Sequence, residues 1–164
     1  MKGKKVKEVK EEEMKKFFSE LVARKMTTIG FLSEELRVFL SELMVLYMSS
    51  DQAQLAAVLE NKLVVMSVFE TDIDWLEETA RSLLLLLGFF PEKLSNLYNR
   101  RAIGLSDYLA IEKLIIARLA VRGGIWREIQ NHFTEVIMLL NGLRQELGLK
   151  TDMAVSVELA KELK

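Results

Sequence analysis

The stretch Leu83-Leu84-Leu85-Leu86-Leu87-Gly88-Phe89-Phe90-Pro91 decides how this chain folds. A helix turns about 100° per residue, so five consecutive leucines point in every direction around its axis. No surface helix can hide such a run on one face. The segment has to be surrounded, by the rest of the fold or by a second copy of the chain. Gly88 is expected to end the helix as a left-handed cap, and Pro91 to open the next one. Glu92 then sits where a first-turn carboxylate meets the positive end of the helix dipole. Leu83, Leu84, Leu85, Leu86, Leu87, Phe89 and Phe90 are therefore the candidate core or interface residues.

Working outward, apolar residues recur at intervals of three and four rather than two, the spacing of helices. A first helix spans about Val6 to Lys25, with Val9, Phe17, Leu21, Phe18 and Met14 apolar and Glu11, Glu12 and Lys15 facing water. Thr27-Thr28-Ile29-Gly30 breaks it. Ser33 before Glu34 and Glu35 is an N-cap, and Leu36, Phe39, Leu40, Leu43 and Tyr47 stripe the second helix. Ser49-Ser50-Asp51 ends that helix, with Gln54 placed as in a capping box. A long third helix follows, roughly 52–87, with a kink possible near Thr71-Asp72. A short one runs from Pro91 to about Arg101 and ends near Gly104. Ser106 caps a fifth over Asp107 to Arg122, closed by Gly123-Gly124. A sixth runs from Ile125 to Leu147, and Thr151 or Asp152 starts a last short one. The expectation is an all-α fold, a helical bundle of about six helices with one long member. It forms a single helical domain over 1–164, with residues 1–10 as a frayed or disordered basic arm.

Composition agrees. Half of the 164 residues are hydrophobic and 29% are charged, leaving little room for the single proline and eight glycines. That division suits helices with sharply separated faces. A net charge of −1 argues against a surface tuned throughout to nucleic acid or an anionic membrane. The chain has no cysteine, which excludes disulfides, thiolate metal sites and cysteine nucleophiles. Met1 to Lys16 has no apolar core of a signal peptide, and no uncharged apolar run approaches the roughly 18 residues a spanning helix needs. A cytoplasmic protein with no membrane association is expected. Abundant Lys and Glu with few Asn and Gln resemble thermophile composition.

Few constellations could carry chemistry. The single histidine, His132, has Glu128 at i−4 and Glu135 at i+3, one helix face on which iron, manganese or zinc could be held. Glu70, Asp74, Glu77 and Glu78 form another acidic stripe. Di-iron bundles need two Glu-x-x-His motifs and two further glutamates. One histidine, in the order His-x-x-Glu, cannot build that site within a monomer. Exposed acids pairing with Arg127 and nearby lysines explain the same residues. Asp72 and Asp74 are more simply solvated carboxylates than an acid–base pair. Gly123-Gly124 lacks the strand, spacing and lysine of a phosphate loop. Lys4, Lys5 and Lys7, with Lys2 and Lys10, could grip phosphates without sequence preference. Arg100 and Arg101, with Arg118, Arg122 and Arg127, are a second possible nucleic-acid-binding cluster. Glu11 to Glu13 follow the lysines directly, however, and no helix-turn-helix pattern stands out.

The segment from Leu83 to Ala120 resembles a family of uncharacterised bacterial all-helical proteins. In these a leucine-rich helix runs into a Gly-Phe-Phe-Pro-Glu turn, and an Asp-Tyr pair opens another helix about fifteen residues later. The matching residues are Leu85, Leu86, Gly88, Phe89, Phe90, Pro91 and Glu92, then Asp107 and Tyr108. The helix from Ile129 to Leu140 around Phe133 also fits. After the tyrosine the chain departs, carrying Glu112 and Ile116 where the pattern favours a glycine and a second tyrosine. The resemblance implies a bacterial origin and brings no activity with it.

The apolar content of 63–68, 83–90 and 109–120 exceeds what single helix faces display, so a homodimer or higher homo-oligomer is expected. The expected function is that of a non-enzymatic helical interaction or scaffold protein with a protein partner and no cofactor. The alternatives are a nucleic-acid-associated regulator using the lysine arm and arginines, and a metal-carboxylate enzyme centred on Glu128, His132 and Glu135. Salt-dependent binding of mixed DNA or RNA would mark the first of these, and stoichiometric metal the second.

Overall fold

The computed structural model describes residues 2–29, 33–49, 54–55, 57–59, 61, 72–89, 91, 94, 105–147 and 159–163, with side chains from residue 12 to 26 and 33 to 46 in the first two ranges. Six helices of eight residues or more lie among them: α1 (Lys2–Ile29), α2 (Glu34–Ser49), α3 (Ile73–Phe89), α4 (Leu105–Ala120), α5 (Gly124–Asn131) and α6 (Phe133–Glu146). No strand occurs among the described residues, and the fold is all-α. No helix there is long and apolar enough to cross a membrane. The chain divides into two compact units, Met1–Ser50 and Asp51–Lys164.

In the first unit, α1 packs against α2. The two are joined by so few residues that they must run antiparallel. α1 begins at Lys2, so the backbone of the basic stretch expected as a frayed arm is part of the helix. Lysine and glutamate are good helix formers, and Glu11/Lys15 and Glu12/Lys16 stand at the favourable i,i+4 spacing. Ser33 caps α2 as expected, its Oγ accepting the Leu36 N–H at 3.2 Å. The pair buries Phe18, Leu21, Val22 and Met26 of α1 and Leu36, Leu40, Leu43 and Met44 of α2. Arg37 donates to the Ser19 hydroxyl across the pair and to Glu34 on its own helix. Phe17, expected on the apolar face, is 52% exposed. The buried stripe centres on Phe18 and Val22, and Phe17 is turned about 100° from Phe18.

In the second unit the helix expected over 52–87 is divided. Asp72 is not helical, and its Oδ1 accepts the N–H groups of Asp74 at 3.1 Å and Trp75 at 3.3 Å. Its carbonyl takes the Leu76 N–H at 3.0 Å, so α3 starts afresh there. A short acid that satisfies two orphan amides makes the cap outcompete helix continuation. The break falls where a kink was thought possible, and is more complete than a kink.

α3 packs against α4 and α6. Every residue from Leu83 to Phe89 is buried, each leucine at 0% exposure, and Leu76, Thr79 and Ala80 extend the buried surface. A single copy of the chain encloses the run, so these leucines do not themselves call for a second one. Burying each stabilises the fold by about 1.5–3 kcal/mol relative to exposure. Phe90 lies outside the described residues, as does 63–68.

Gly88 does not end the helix as a left-handed cap. It is helical, enclosed, and absent from the positive-φ glycines, which among the described residues are Gly123 and Gly124. Its role is proximity: a Cβ there would stand 2.5 Å from Leu140 Cβ and 2.6 Å from Leu140 Cδ1. Lacking a side chain, it lets α3 and α6 approach closely. Two smaller boundaries also shift. α4 starts at Leu105, which puts Ser106 inside the first turn rather than at the cap. The helix expected over 125–147 is two helices, α5 and α6, meeting at His132 with φ −125° and ψ 34°. Asn131 and His132 are both weak helix formers, which makes a break inexpensive at that point. Gly123 and Gly124 close α4 as expected, at φ +81° and +68°.

Candidate functional site

The polar interior of the second unit is the place where chemistry is concentrated. In α4, Leu105, Tyr108, Leu109, Ile115, Ile116, Leu119 and Ala120 are buried at helical spacing, and Glu112 sits at the centre of that stripe. Its exposure is 0%, and among the described residues neither carboxylate oxygen has a hydrogen-bond partner. The other small buried polar groups are satisfied locally. Thr79 Oγ1 donates to the Trp75 carbonyl at 2.7 Å, and in the first unit Ser41 Oγ donates to that of Arg37 at 2.8 Å. Burial pushes the Glu112 carboxyl well above the ordinary glutamate range. Charge in an apolar interior is far more costly than a neutral acid, which favours the protonated form. Arg144 on α6, at 2% exposure, is a second charged residue within an apolar stripe, following Val136, Ile137, Leu140 and Leu143.

Sequence reasoning noted Glu112 only as a departure from a family pattern. The signal that singles it out was nonetheless present: apolar residues at 105, 108–109, 115–116 and 119–120 leave position 112 inward-facing. An acid in that register is either paired or protonated.

The proposed metal ligands are distributed around the α5–α6 junction. Glu128 and His132 are half-buried and Glu135 is exposed. Among the described residues, no three His, Asp or Glu side chains stand close enough together to hold a metal ion. At the junction the His132 N–H bonds to the Glu128 carbonyl at 3.0 Å and the Val136 N–H to the His132 carbonyl at 2.9 Å, with His132 itself at non-helical φ and ψ. Asp74 and Glu78 are exposed and Glu77 half-buried on α3, while Glu70 lies outside the described residues. The side chains of Lys4, Lys5 and Lys7, and all of Arg100 and Arg101, also lie outside them. Arg122 and Arg127 are exposed and Arg118 half-buried around the Gly123 turn.

The outer face of α4 carries a different feature. Ala110, Leu114 and Ala117 of α4 and Val121, in the turn just past its end, follow one another at intervals of four, three and four, the spacing of one seam. Leu114 is 49% exposed and Val121 78%, while Met138 of α6 is 59% exposed. Glu112 and Leu114 are about 200° apart on the helix, so the seam lies opposite the buried carboxyl. No protein-family model matches this chain, and neither a curated protein nor a solved structure does.

Proposed function

We propose that the chain is a non-enzymatic helical interaction or scaffold protein that associates through the outer face of α4, in the first instance with a second copy of itself. The observation that carries this reading is the seam of Ala110, Leu114, Ala117 and Val121. Alternation of small and large apolar residues at 4-3-4 spacing is what a neighbouring helix needs for knobs-into-holes packing. Two large aliphatic side chains so exposed on one face favour burial in an interface over hydration. Lys113 and Arg118 flank the seam and supply a charged rim. Sedimentation of the full chain at micromolar concentration tests the reading. The wild type is expected to be a dimer or larger, and L114K and V121K to be monomeric with unchanged far-ultraviolet circular dichroism. A monomeric wild type across the concentration range would reject self-association.

A further inference from the structure

The seam on α4 has an order as well as a spacing: small, large, small, large, through Ala110, Leu114, Ala117 and Val121. In heptad terms Ala110 and Ala117 occupy d positions, and Leu114 and Val121 occupy a positions. In a parallel, in-register pair each layer meets itself, leucine on leucine and alanine on alanine. Helices held apart by the leucines would then leave voids at the alanines. In an antiparallel pair a positions meet d positions. With Leu114 level with the partner's Ala117, Val121 falls level with the partner's Ala110, and every layer joins one large and one small side chain. Sliding this pair by one heptad either way sets two of the four residues opposite positions outside the seam. One register therefore uses the seam whole.

Charges beside the seam select the same sense. From the N-terminal end they run Asp107, Lys113, Arg118 and, just past the helix, Arg122. Asp107, Lys113 and Arg122 are exposed and Arg118 is half-buried. The Arg122 and Gly123 N–H groups bond to the carbonyls of Leu119 at 3.3 Å and Ala120 at 2.9 Å, which carries the coil on through Val121 and Arg122. At 100° per residue, Asp107, Arg118 and Arg122 follow one flank and Lys113 the other. A parallel pair brings opposite flanks together about five residues apart, which sets Lys113 against the partner's Arg118 twice over. An antiparallel pair brings like flanks together. Asp107 then lies about 3 Å along the axis from the level of the partner's Arg122, within reach of that side chain and opposite in sign. The like-charge neighbours in this arrangement are the two Lys113 side chains, about 7.5 Å apart along the axis. Lys113 Nζ lies 5.5 Å from the ring centre of Phe133, drawn toward its own subunit.

We propose that two copies of the chain pair antiparallel through α4 about a two-fold axis at the level of Ile115 and Ile116. Leu114 seats on the partner's Ala117, Val121 on the partner's Ala110, and Asp107 pairs with the partner's Arg122. The inference rests on self-association through this face and adds its sense and register.

The chain has no cysteine, so introduced ones report the arrangement cleanly. Under mild oxidation of the full chain, A110C and V121C are each expected to run as single chains on a non-reducing gel. In the antiparallel pair each position stands about 16 Å along the axis from its own copy, too far for a disulfide. A mixture of the two variants, and the A110C/V121C double variant, should crosslink to a dimer. D107R and R122E should each weaken the dimer about tenfold, and D107R/R122E should restore it. Efficient crosslinking of A110C or V121C alone overturns the antiparallel sense while leaving self-association intact. A dimer that crosslinks in none of these variants overturns the register, and a double reversal as weak as its two parts combined overturns the ion pair. A wild type that sediments as a monomer, with no crosslink in A110C/V121C, removes self-association and this inference together.

Discussion

A methyl group on Gly88 would have to displace the Cβ of Leu140, which is fixed to the backbone of α6 and cannot swing aside. Helix propensity alone favours alanine over glycine by about 1 kcal/mol. Overpacking a close helix crossing costs more, about 1–3 kcal/mol. G88A should therefore lower the unfolding free energy by up to about 2 kcal/mol net, read as an earlier urea midpoint; a later midpoint would contradict the close approach. Glu112 works in the opposite sense, as a residue whose removal helps. Its folded-state carboxyl titrates well above the ordinary glutamate range. The unfolded chain binds fewer protons between the two ionisations, so the contribution of Glu112 to stability is greatest below about pH 4 and falls as pH rises through the folded value. E112M should flatten that dependence and add about 1–3 kcal/mol at neutral pH by removing unsatisfied buried atoms. Chemical denaturation across pH measures both, and a wild type that gains stability on the alkaline side would refute the sign. Gly88 and Glu112 also mark the limit of reading at this scale. Gly88 looked like a cap because phenylalanines and a proline follow it, whereas its reason for being glycine is Leu140, fifty-two residues away. Glu112 was legible from its register and overlooked because its neighbours are ordinary.

Elements show a similar division between local and distant causes. The Ser33 cap and the apolar stripe of α2 depend on residues within one or two turns, and both stood in the sequence. The breaks at Asp72 and His132 were less visible because apolar periodicity runs through both of them. What decides at Asp72 is a competition between one more helical hydrogen bond and two side-chain caps. Removing the side chain with D72A should cost about 1 kcal/mol, within the roughly 0.5–2 kcal/mol range of such caps. Thermal unfolding with the helical signal as probe checks it, and an unaltered midpoint would show that the cap contributes little. At the α5–α6 junction the consequence concerns the candidate site. The single-face alignment of Glu128, His132 and Glu135 presumed a helix without interruption; at His132 the backbone departs to φ −125°, while the His132 N–H still bonds to the Glu128 carbonyl at 3.0 Å and the Val136 N–H to the His132 carbonyl at 2.9 Å. Asp72 and Asp74 are exposed, as expected of solvated carboxylates, because a solvated helix face depends only on its own register.

For the whole molecule, the leading expectation, an all-α fold in which the leucine run is wrapped on every side, rested on simple geometry and is what the structure shows. The number of partners needed for that wrapping was not legible, since composition counts apolar residues without saying which helices share them. Among the described helices, α4 and α6 are the ones that pack against α3, and both lie later in the chain. That order has a consequence during synthesis. Between Phe89 and Glu146 a ribosome adds 57 residues, which takes about 3–12 s at roughly 5–20 residues/s. The same interval separates the emergence of the leucine rod from the tunnel and that of the last residue of α6. Ribosome-tethered chains halted before Leu105 leaves the exit tunnel should be held by a hydrophobic-binding chaperone, and those with Glu146 outside it released. For this sequence, translation speed and chaperone supply, more than final stability, would govern how much soluble protein a cell obtains.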